Sequence, residues 1–298
     1  MVDSKRQHGQ YYTTTNPFVG DAFDEWNALR PKKDQILEPF AGAGYLFNYI
    51  DGDWKGFDLE PKHPLVVQRN TIEDFPEGFS TAITNPPYFA KNSAKRMKMP
   101  YNFKYEDMYL DCLKLMLDNC DYVAAIIPST FFGTKLFQDR LFAWDKLDYT
   151  LFEDTTVPVG VAYFVPEKVN PKIYVNGKQI KPFKFVNDEV NLEFNVDHGN
   201  YVLIGIDSTK SENIAISVDV ESFDRDKYLK NTSRNYVLFY SPVELNVEET
   251  NKAILHWRRE TNDFYLTSFK SMMKIGKYRK RISFKDVKKL VKPVDTTY

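Results

Sequence analysis

The stretch with the clearest chemical potential is Thr84-Asn85-Pro86-Pro87-Tyr88, which follows the apolar run Phe79 to Ile83. Pro86 and Pro87 remove two backbone donors and fix φ at about −65°, so no helix runs through them and Asn85 is pushed towards extended backbone. A stiff corner at a strand end results. It brings together the Asn85 amide oxygen, backbone carbonyls and the Tyr88 ring, a set suited to gripping a planar group that carries an NH2. A Pro-Pro loop beside a core tyrosine would have the same five residues, so the upstream sequence decides.

Upstream, Gln35-Ile36-Leu37-Glu38 runs into Pro39-Phe40-Ala41-Gly42-Ala43-Gly44 and then into a helical pattern. A strand, a Gly-rich turn and a helix start are the context in which backbone approaches a nucleotide-type ligand. The third glycine of the dinucleotide fingerprint is missing and Glu38 precedes the loop, which disfavours a pyrophosphate cradle. A carboxylate at that strand end favours a ligand with a cationic amino group instead. Asp58 follows in Trp54-Lys55-Gly56-Phe57-Asp58-Leu59-Glu60. An acid at the second strand end, about 20 residues on, is the position that holds two ribose hydroxyls in doubly wound sheets, with Glu60 as the fallback. Asp74-Phe75 lies on a third loop, where Asp accepts from an exocyclic amine and Phe lies against an adenine face. Glu38, Asp58, Asp74 and Asn85 thus form an ordered set of strand-end positions. Ligands of open α/β sheets bind beyond those ends.

The elements that position this set follow from composition and periodicity. With 298 residues, one large or two moderate domains are expected, and 43% hydrophobic residues supply a packed core. Residues 1–165 carry 17 Lys+Arg against 23 Asp+Glu, and residues 166–298 carry 23 against 18, so the sign changes from −6 to +5. A basic second half suits a polyanion partner. Two cysteines, Cys112 and Cys120, are too few for a disulfide framework, and no apolar run reaches about 18 residues. A soluble, cytoplasmic protein is the expectation. Phe18 to Leu29 and Leu110 to Leu117 have helical spacing, while Tyr122 to Ile127 and Val157 to Val165 read as buried strands. Strand-helix alternation therefore predicts an α/β domain with a mainly parallel sheet. Beyond Pro166 the pattern turns β-rich: a hairpin about Asn176-Gly177, a strand at Val237 to Tyr240 and a helix over Val247 to Arg258.

Taken in order, Gly9-Gln10-Tyr11-Tyr12-Thr13, Glu38-Pro39-Phe40-Ala41-Gly42-Ala43-Gly44, Asp58, Asp74-Phe75 and Asn85-Pro86-Pro87-Tyr88 resemble the motifs of amino-group DNA methyltransferases, specifically the N6-adenine enzymes of restriction-modification type. The order is similar to their gamma arrangement, and the resemblance covers roughly residues 7–165. It implies a Rossmann-like S-adenosylmethionine-dependent methyltransferase sheet over residues 1–165 and a target-recognition, DNA-binding region over 166–298. It also implies S-adenosylmethionine as the methyl donor. Tyr12 and Thr13 would flank its methionine part, Glu38 with Phe40, Ala41 and Gly42 its amino group and backbone, Asp58 the ribose, Asp74 and Phe75 the adenine, and Asn85 would border it. The family often has Pro where this chain has Thr14. Double-stranded DNA is the implied partner, a restriction endonuclease a possible companion, and a monomer or weak dimer the working form, in a bacterial or phage setting.

The chemistry stands apart from the resemblance. An exocyclic adenine amine has its lone pair delocalised into the ring, so a catalyst must accept hydrogen bonds from its N–H groups. Asn85 and the Pro86 carbonyl do so, held by Pro87, and neither a metal nor a strong base is required. Tyr88 would stack on an extruded base, with Phe152 as the second aromatic by family position. Phe89 to Lys104 carries five basic residues and no acid, and is expected to be a loop that reaches flanking phosphates. Lys277-Tyr278-Arg279-Lys280-Arg281, within the ten Lys+Arg of residues 270–298, suits a DNA backbone. The same corner also suits an RNA base or a protein glutamine amide, and a catalytically silent DNA-binding module would keep the same fold.

Overall fold

The computed structural model describes residues 13, 15–153, 155–185, 189–220 and 235–294. The chain divides into two compact units, the first running to Gln179 and the second beginning at Ile180. The expected division after Val165 differs because the chain beyond Pro166 returns to the first sheet.

In the first unit, Ile36–Glu38 (β1), Trp54–Asp58 (β2), Val66–Gln68 (β3), Thr81–Thr84 (β4), Tyr122–Pro128 (β5), Leu141–Lys146 (β6), Val159–Phe164 (β7), Lys172–Val175 (β8) and Lys178–Ile180 (β9) form one sheet, in the order β3-β2-β1-β4-β5-β7-β6-β8-β9. From β3 to β5 all pairings are parallel; β7 then pairs antiparallel with both β5 and β6, and β8 runs parallel to β6. This is a Rossmann-like mixed α/β sheet. The central strands read as continuous apolar runs because both faces are covered: Val123 to Ile127 and Val159 to Phe164 are all buried.

Helix α1 (Asp21–Leu29) buries Ala22, Phe23 and Trp26 on one face, and carries Asp21 and Asp24 in the first turn, where the helix dipole favours acids. Trp26 donates through Nε1 to the Phe164 carbonyl at 2.8 Å, which satisfies the one polar atom of a fully buried indole. The helix ends at extended Arg30, the residue before Pro31. Helices α2 (Lys91–Met97) and α3 (Met108–Asn119) follow β4. Helix α3 buries Leu113, Met116 and Leu117 and packs on β5.

The Asn176-Gly177 turn takes positive φ at both residues, 51° and 78°, as a two-residue hairpin requires. A Cβ at Gly177 would lie 2.8 Å from the Val19 carbonyl, so the turn also seats the entry to α1. The buried Asp145 carboxylate accepts the Gly177 N–H with both oxygens, at 3.0 and 2.9 Å. Burial pushes Asp145 up to about 7, against which the Gly177 hydrogen bond pulls only partly. The folded state therefore binds more protons than the unfolded chain from the ordinary carboxylate range up to about pH 7, and stability falls as pH rises through that window. Asp145→Asn is expected to flatten the pH dependence of Tm between about pH 5 and 8, as checked by thermal melts across that range.

The second unit contains an antiparallel sheet in the order β10-β13-β11-β12, made of Glu193–Phe194 (β10), Tyr201–Ile204 (β11), Ala215–Ser217 (β12) and Tyr236–Tyr240 (β13). Helix α4 (Val247–Glu260) packs on β12 and is capped by Asn246, whose side chain accepts from the Glu249 N–H. Thr267–Met272 (β14) and Tyr278–Arg281 (β15) form a separate hairpin, and α5 (Phe284–Leu290) is capped by Ser283. Arg258 is buried and forms a fork on Asp207, at 2.8 and 2.9 Å, with Asp263 at 2.8 Å on its Nε.

Two charged stretches depart from expectation. The basic segment after Tyr88 forms α2 over Lys91–Met97 rather than a loop throughout. Of the cluster Lys277 to Arg281, Tyr278–Arg281 form β15, whose alternation turns Tyr278 and Lys280 inward; Lys280 is 1% exposed and donates to Ser268 Oγ at 3.3 Å. Arg279 donates to the Asp207 carbonyl at 2.7 Å, so Arg279 and Lys280 are committed within the unit while Lys277 and Arg281 stay exposed.

Candidate active site

A cavity of about 270 Å³ lies beyond the carboxyl ends of β1, β2, β3 and β4, and it brings Glu38, Phe40, Ala41, Gly42, Asp58 and Asn85 to one space. Thr13 and Pro87 also border it. Of the methionine-flanking pair, Tyr12 lies outside the described residues.

The glycine loop is built by conformation and by one carboxylate. Gly42 and Gly44 take positive φ, 49° and 68°, where a side chain is strained. The helix expected after the loop is one 3-10 turn, Tyr45–Asn48. Asp58 fixes the loop through two backbone donors: Oδ2 accepts the Gly42 N–H and Oδ1 the Glu60 N–H, each at 2.8 Å. Each oxygen keeps a further lone pair for an incoming hydroxyl.

Glu38 has the opposite surroundings. It is 2% exposed, and its Oε2 is buried with no hydrogen-bond partner among the described residues. Burial, and then the nearby charge of Asp58, hold its carboxyl well above the usual carboxylate range. Glu38 lines the cavity, and an unpaired buried acceptor is costly unless a donor arrives. A ligand ammonium fits that requirement, so the residues present suit a methionine-type donor.

The third strand end differs from expectation. Asp74 does not border the cavity; its side chain is 75% exposed and pairs with Arg69 at 2.9 Å. Phe75 does not border it either. The reason is the position of β3, which ends at Gln68, so that Asn70, Thr71 and Ile72 occupy the strand-end loop. Asn70 Oδ1 accepts the Ile72 N–H at 3.3 Å and its carbonyl accepts the Asp74 N–H at 2.9 Å, winding the loop so that Asp74 is carried outward. Thr71 donates to the Pro39 carbonyl at 2.8 Å, tying this loop to the one after β1. Leu59 and Ile72 supply apolar lining here. A carboxamide both accepts and donates, which matches the amino and ring-nitrogen edge of adenine better than a carboxylate does.

At the corner, Asn85 Nδ2 donates to Thr13 Oγ1 at 3.4 Å, and Thr13 forms an antiparallel bridge with Phe152. The Tyr88 hydroxyl lies 2.6 Å from Asn85 Oδ1 and 2.7 Å from the Ile126 carbonyl. The Tyr88 ring meets Phe152 edge-on, with centroids 6.4 Å apart and planes at 69°. Neither Tyr88, Phe152 nor Pro86 borders the cavity, whereas Asn85 and Pro87 do. The corner therefore separates a donor-sized space from an aromatic pair behind it. Beyond Tyr88, Asp107 Oδ1 accepts the Phe89 N–H at 3.1 Å and the Met108 N–H donates to the Phe89 carbonyl at 3.1 Å. Phe89, Met99 and Met108 close the apolar end of the cavity.

No family model matches the chain, and no curated protein matches it. Among solved structures it is similar to a Listeria monocytogenes protein described as a class I S-adenosylmethionine-dependent methyltransferase, at 14% identity and a TM-score of 0.36 over 50% of this chain and 61% of that one. It is also similar to the type I restriction enzyme EcoKI M protein, at 16% identity and a TM-score of 0.36 over 48% and 44%. A third is the type I restriction-modification methyltransferase subunit of Streptococcus thermophilus, at 14% identity and a TM-score of 0.38 over 86% and 59%. The chain spans less than two thirds of the length of each. Among the described residues, no helix is long and apolar enough to cross a membrane.

Proposed function

We propose that the chain transfers a methyl group from S-adenosylmethionine to the exocyclic N6 amine of adenine in double-stranded DNA. The observation that carries this reading is the buried, unpartnered Glu38 Oε2 in the same cavity as Asp58 and Asn85. When bound, the donor supplies an electrophilic methyl group on a positively charged sulfur. Glu38 binds its ammonium, Asp58 accepts from its ribose hydroxyls through the lone pairs left beside Gly42 and Glu60, and Asn70 replaces Asp74 as the reader of its adenine edge.

Asn85 and the Pro86 carbonyl would accept hydrogen bonds from the two amine N–H groups, drawing the nitrogen lone pair out of conjugation; the N–C bond would form as the methyl–sulfur bond of the donor breaks, and the surplus amine proton would leave to solvent. A base inside a duplex cannot reach this corner, so the target nucleotide is extruded and its base is held by Tyr88 and Phe152. Lys95, Arg96 and Lys98, exposed on and just after α2, reach flanking phosphates. The second unit carries target recognition, and a restriction endonuclease is the companion activity of such an enzyme.

Incubation with methyl-labelled donor and duplex DNA tests the reading, with N6-methyladenine as the expected product. Label in RNA or protein but not in DNA would overturn it. Asp58→Ala is expected to weaken donor binding about tenfold in calorimetry, the size of one or two neutral hydrogen bonds. Duplex binding without any donor binding would identify a silent module instead.

A further inference from the structure

The β14–β15 hairpin breaks a local rule at its tip. The Gly276 N–H donates to the Met273 carbonyl at 3.0 Å and the Met273 N–H to the Lys277 carbonyl at 2.7 Å, with Gly276 at φ 80°, which closes a three-residue hairpin loop. Small polar residues ordinarily fill the centre of such a turn. Here the centre is Ile275, a β-branched residue that is 62% exposed, while the buried Met273 supplies the packing. A side chain that breaks the turn rule and adds little to the core marks a position shaped by something it meets.

Charge surrounds that tip. No acid occurs between Asp263 and Asp286, a stretch that holds seven Lys+Arg. Arg279 and Lys280 are held within the unit, but Lys270, Lys274, Lys277 and Arg281 are exposed, and Lys277 reaches Glu212 only at 3.9 Å. The backing of the hairpin is stiff. The Ile282 N–H donates to the Gly205 carbonyl at 3.1 Å, the Asp207 N–H to the Lys280 carbonyl at 3.0 Å and the Lys274 N–H to the Thr209 carbonyl at 2.9 Å. Asp207 is also the residue gripped by the Arg258 fork, so the buried ion cluster fixes the segment on which the hairpin rests.

We infer that the tip Lys274-Ile275-Gly276-Lys277 is a sequence-reading contact for the major groove of duplex DNA, with Lys270, Lys274 and Lys277 on phosphates of the groove walls and Ile275 against a thymine methyl group. The groove, about 12 Å wide, admits two strands about 4.8 Å apart with their side chains, and the thymine methyl is the apolar group it presents. The major groove of duplex RNA is too narrow for side chains to read. One isoleucine offers far less apolar surface than the helix face that holds a protein on a lipid layer. The inference rests on the duplex-DNA part of the proposed function and names the element of the second unit that carries it.

The test uses the full chain with S-adenosylhomocysteine and a duplex enriched by the wild-type protein from a random-sequence DNA pool, so it does not depend on methylation. Lys274→Gln combined with Lys277→Gln is expected to reduce the slope of log K against log salt by about two, one for each phosphate contact. Ile275→Ala is expected to keep the wild-type slope and Tm and to cut the preference for the enriched duplex over a scrambled one about fivefold. Replacing the thymines one at a time by deoxyuridine, which removes only the methyl group, should reproduce that loss at one position in the wild type and have no effect there in Ile275→Ala. Wild-type slope and preference in the variants, a deoxyuridine scan without such a position, equal binding of duplex RNA, or failure to enrich any duplex would overturn the inference. Hairpin-dependent duplex binding without N6-methyladenine from labelled donor would instead remove the methyl-transfer reading and leave the inference standing.

Discussion

Asn85→Ala is expected to lower the turnover number by about 10²–10³, the size found when one preorganised hydrogen-bonding group is removed from a transition state. Donor affinity is expected to stay within about threefold, because the proposed function assigns the donor's charged and ribose groups to Glu38 and Asp58. The corner itself should survive the substitution. Pro86 and Pro87 fix its backbone, and the Tyr88 hydroxyl keeps the Ile126 carbonyl as a partner at 2.7 Å. Single-turnover methylation and donor calorimetry on the same preparation separate the two quantities. A parallel collapse of both would mean that Asn85 supports the donor rather than the reacting amine.

The strand ends that carry long or strongly apolar runs were legible in the sequence, and the short one was not. Glu38, Asp58 and Asn85 each close a strand within one or two residues, and all three border the cavity. Strand β3 is only three residues long with one buried position, Val66, too brief for a period to show. Asp74-Phe75 is the next acidic and aromatic pair in the sequence, whereas β3 ends at Gln68 and the loop that follows it opens with Arg69 and Asn70. Asp74 instead neutralises Arg69 at the surface.

Composition misled in two further places for physical reasons. Strand β6 ends in Asp145 and Lys146, both buried, so it carries no apolar run in its second half, and the sequence reading assigned it no element. Lys280 sits in a run of charges that resembles a phosphate-binding patch, yet period-two alternation on β15 points it inward with Tyr278. Charge counts describe a segment, whereas the side of the strand decides what each cation meets. On α2, Lys91 pairs with Glu106 at 3.0 Å, while Lys95 and Arg96 stay exposed because the buried face is the single small residue Ala94.

Glu38→Gln is expected to weaken donor binding about 10- to 100-fold, the loss of a charge-assisted hydrogen bond in a buried setting, while making the empty protein more stable. The two signs have one cause. Burial, followed by the Asp58 charge, raises the folded-state pKa of Glu38 well above its unfolded value. Its favourable contribution is therefore complete below the unfolded pKa and is lost as pH rises through the folded one, so ligand-free wild-type protein loses stability with rising pH and the glutamine variant does not share that loss. Thermal melts without donor should show the variant gaining roughly 2–4 °C for each kcal/mol recovered. Donor binding runs the other way, because an ammonium needs the ionised carboxylate: wild-type affinity should fall as pH drops through the raised pKa, with proton release on binding, and the variant should show neither. Calorimetry in two buffers of different ionisation enthalpy measures that release directly. A wild-type donor affinity indifferent to both pH and Glu38→Gln would place the ammonium elsewhere in the cavity and leave the unpartnered Oε2 unexplained.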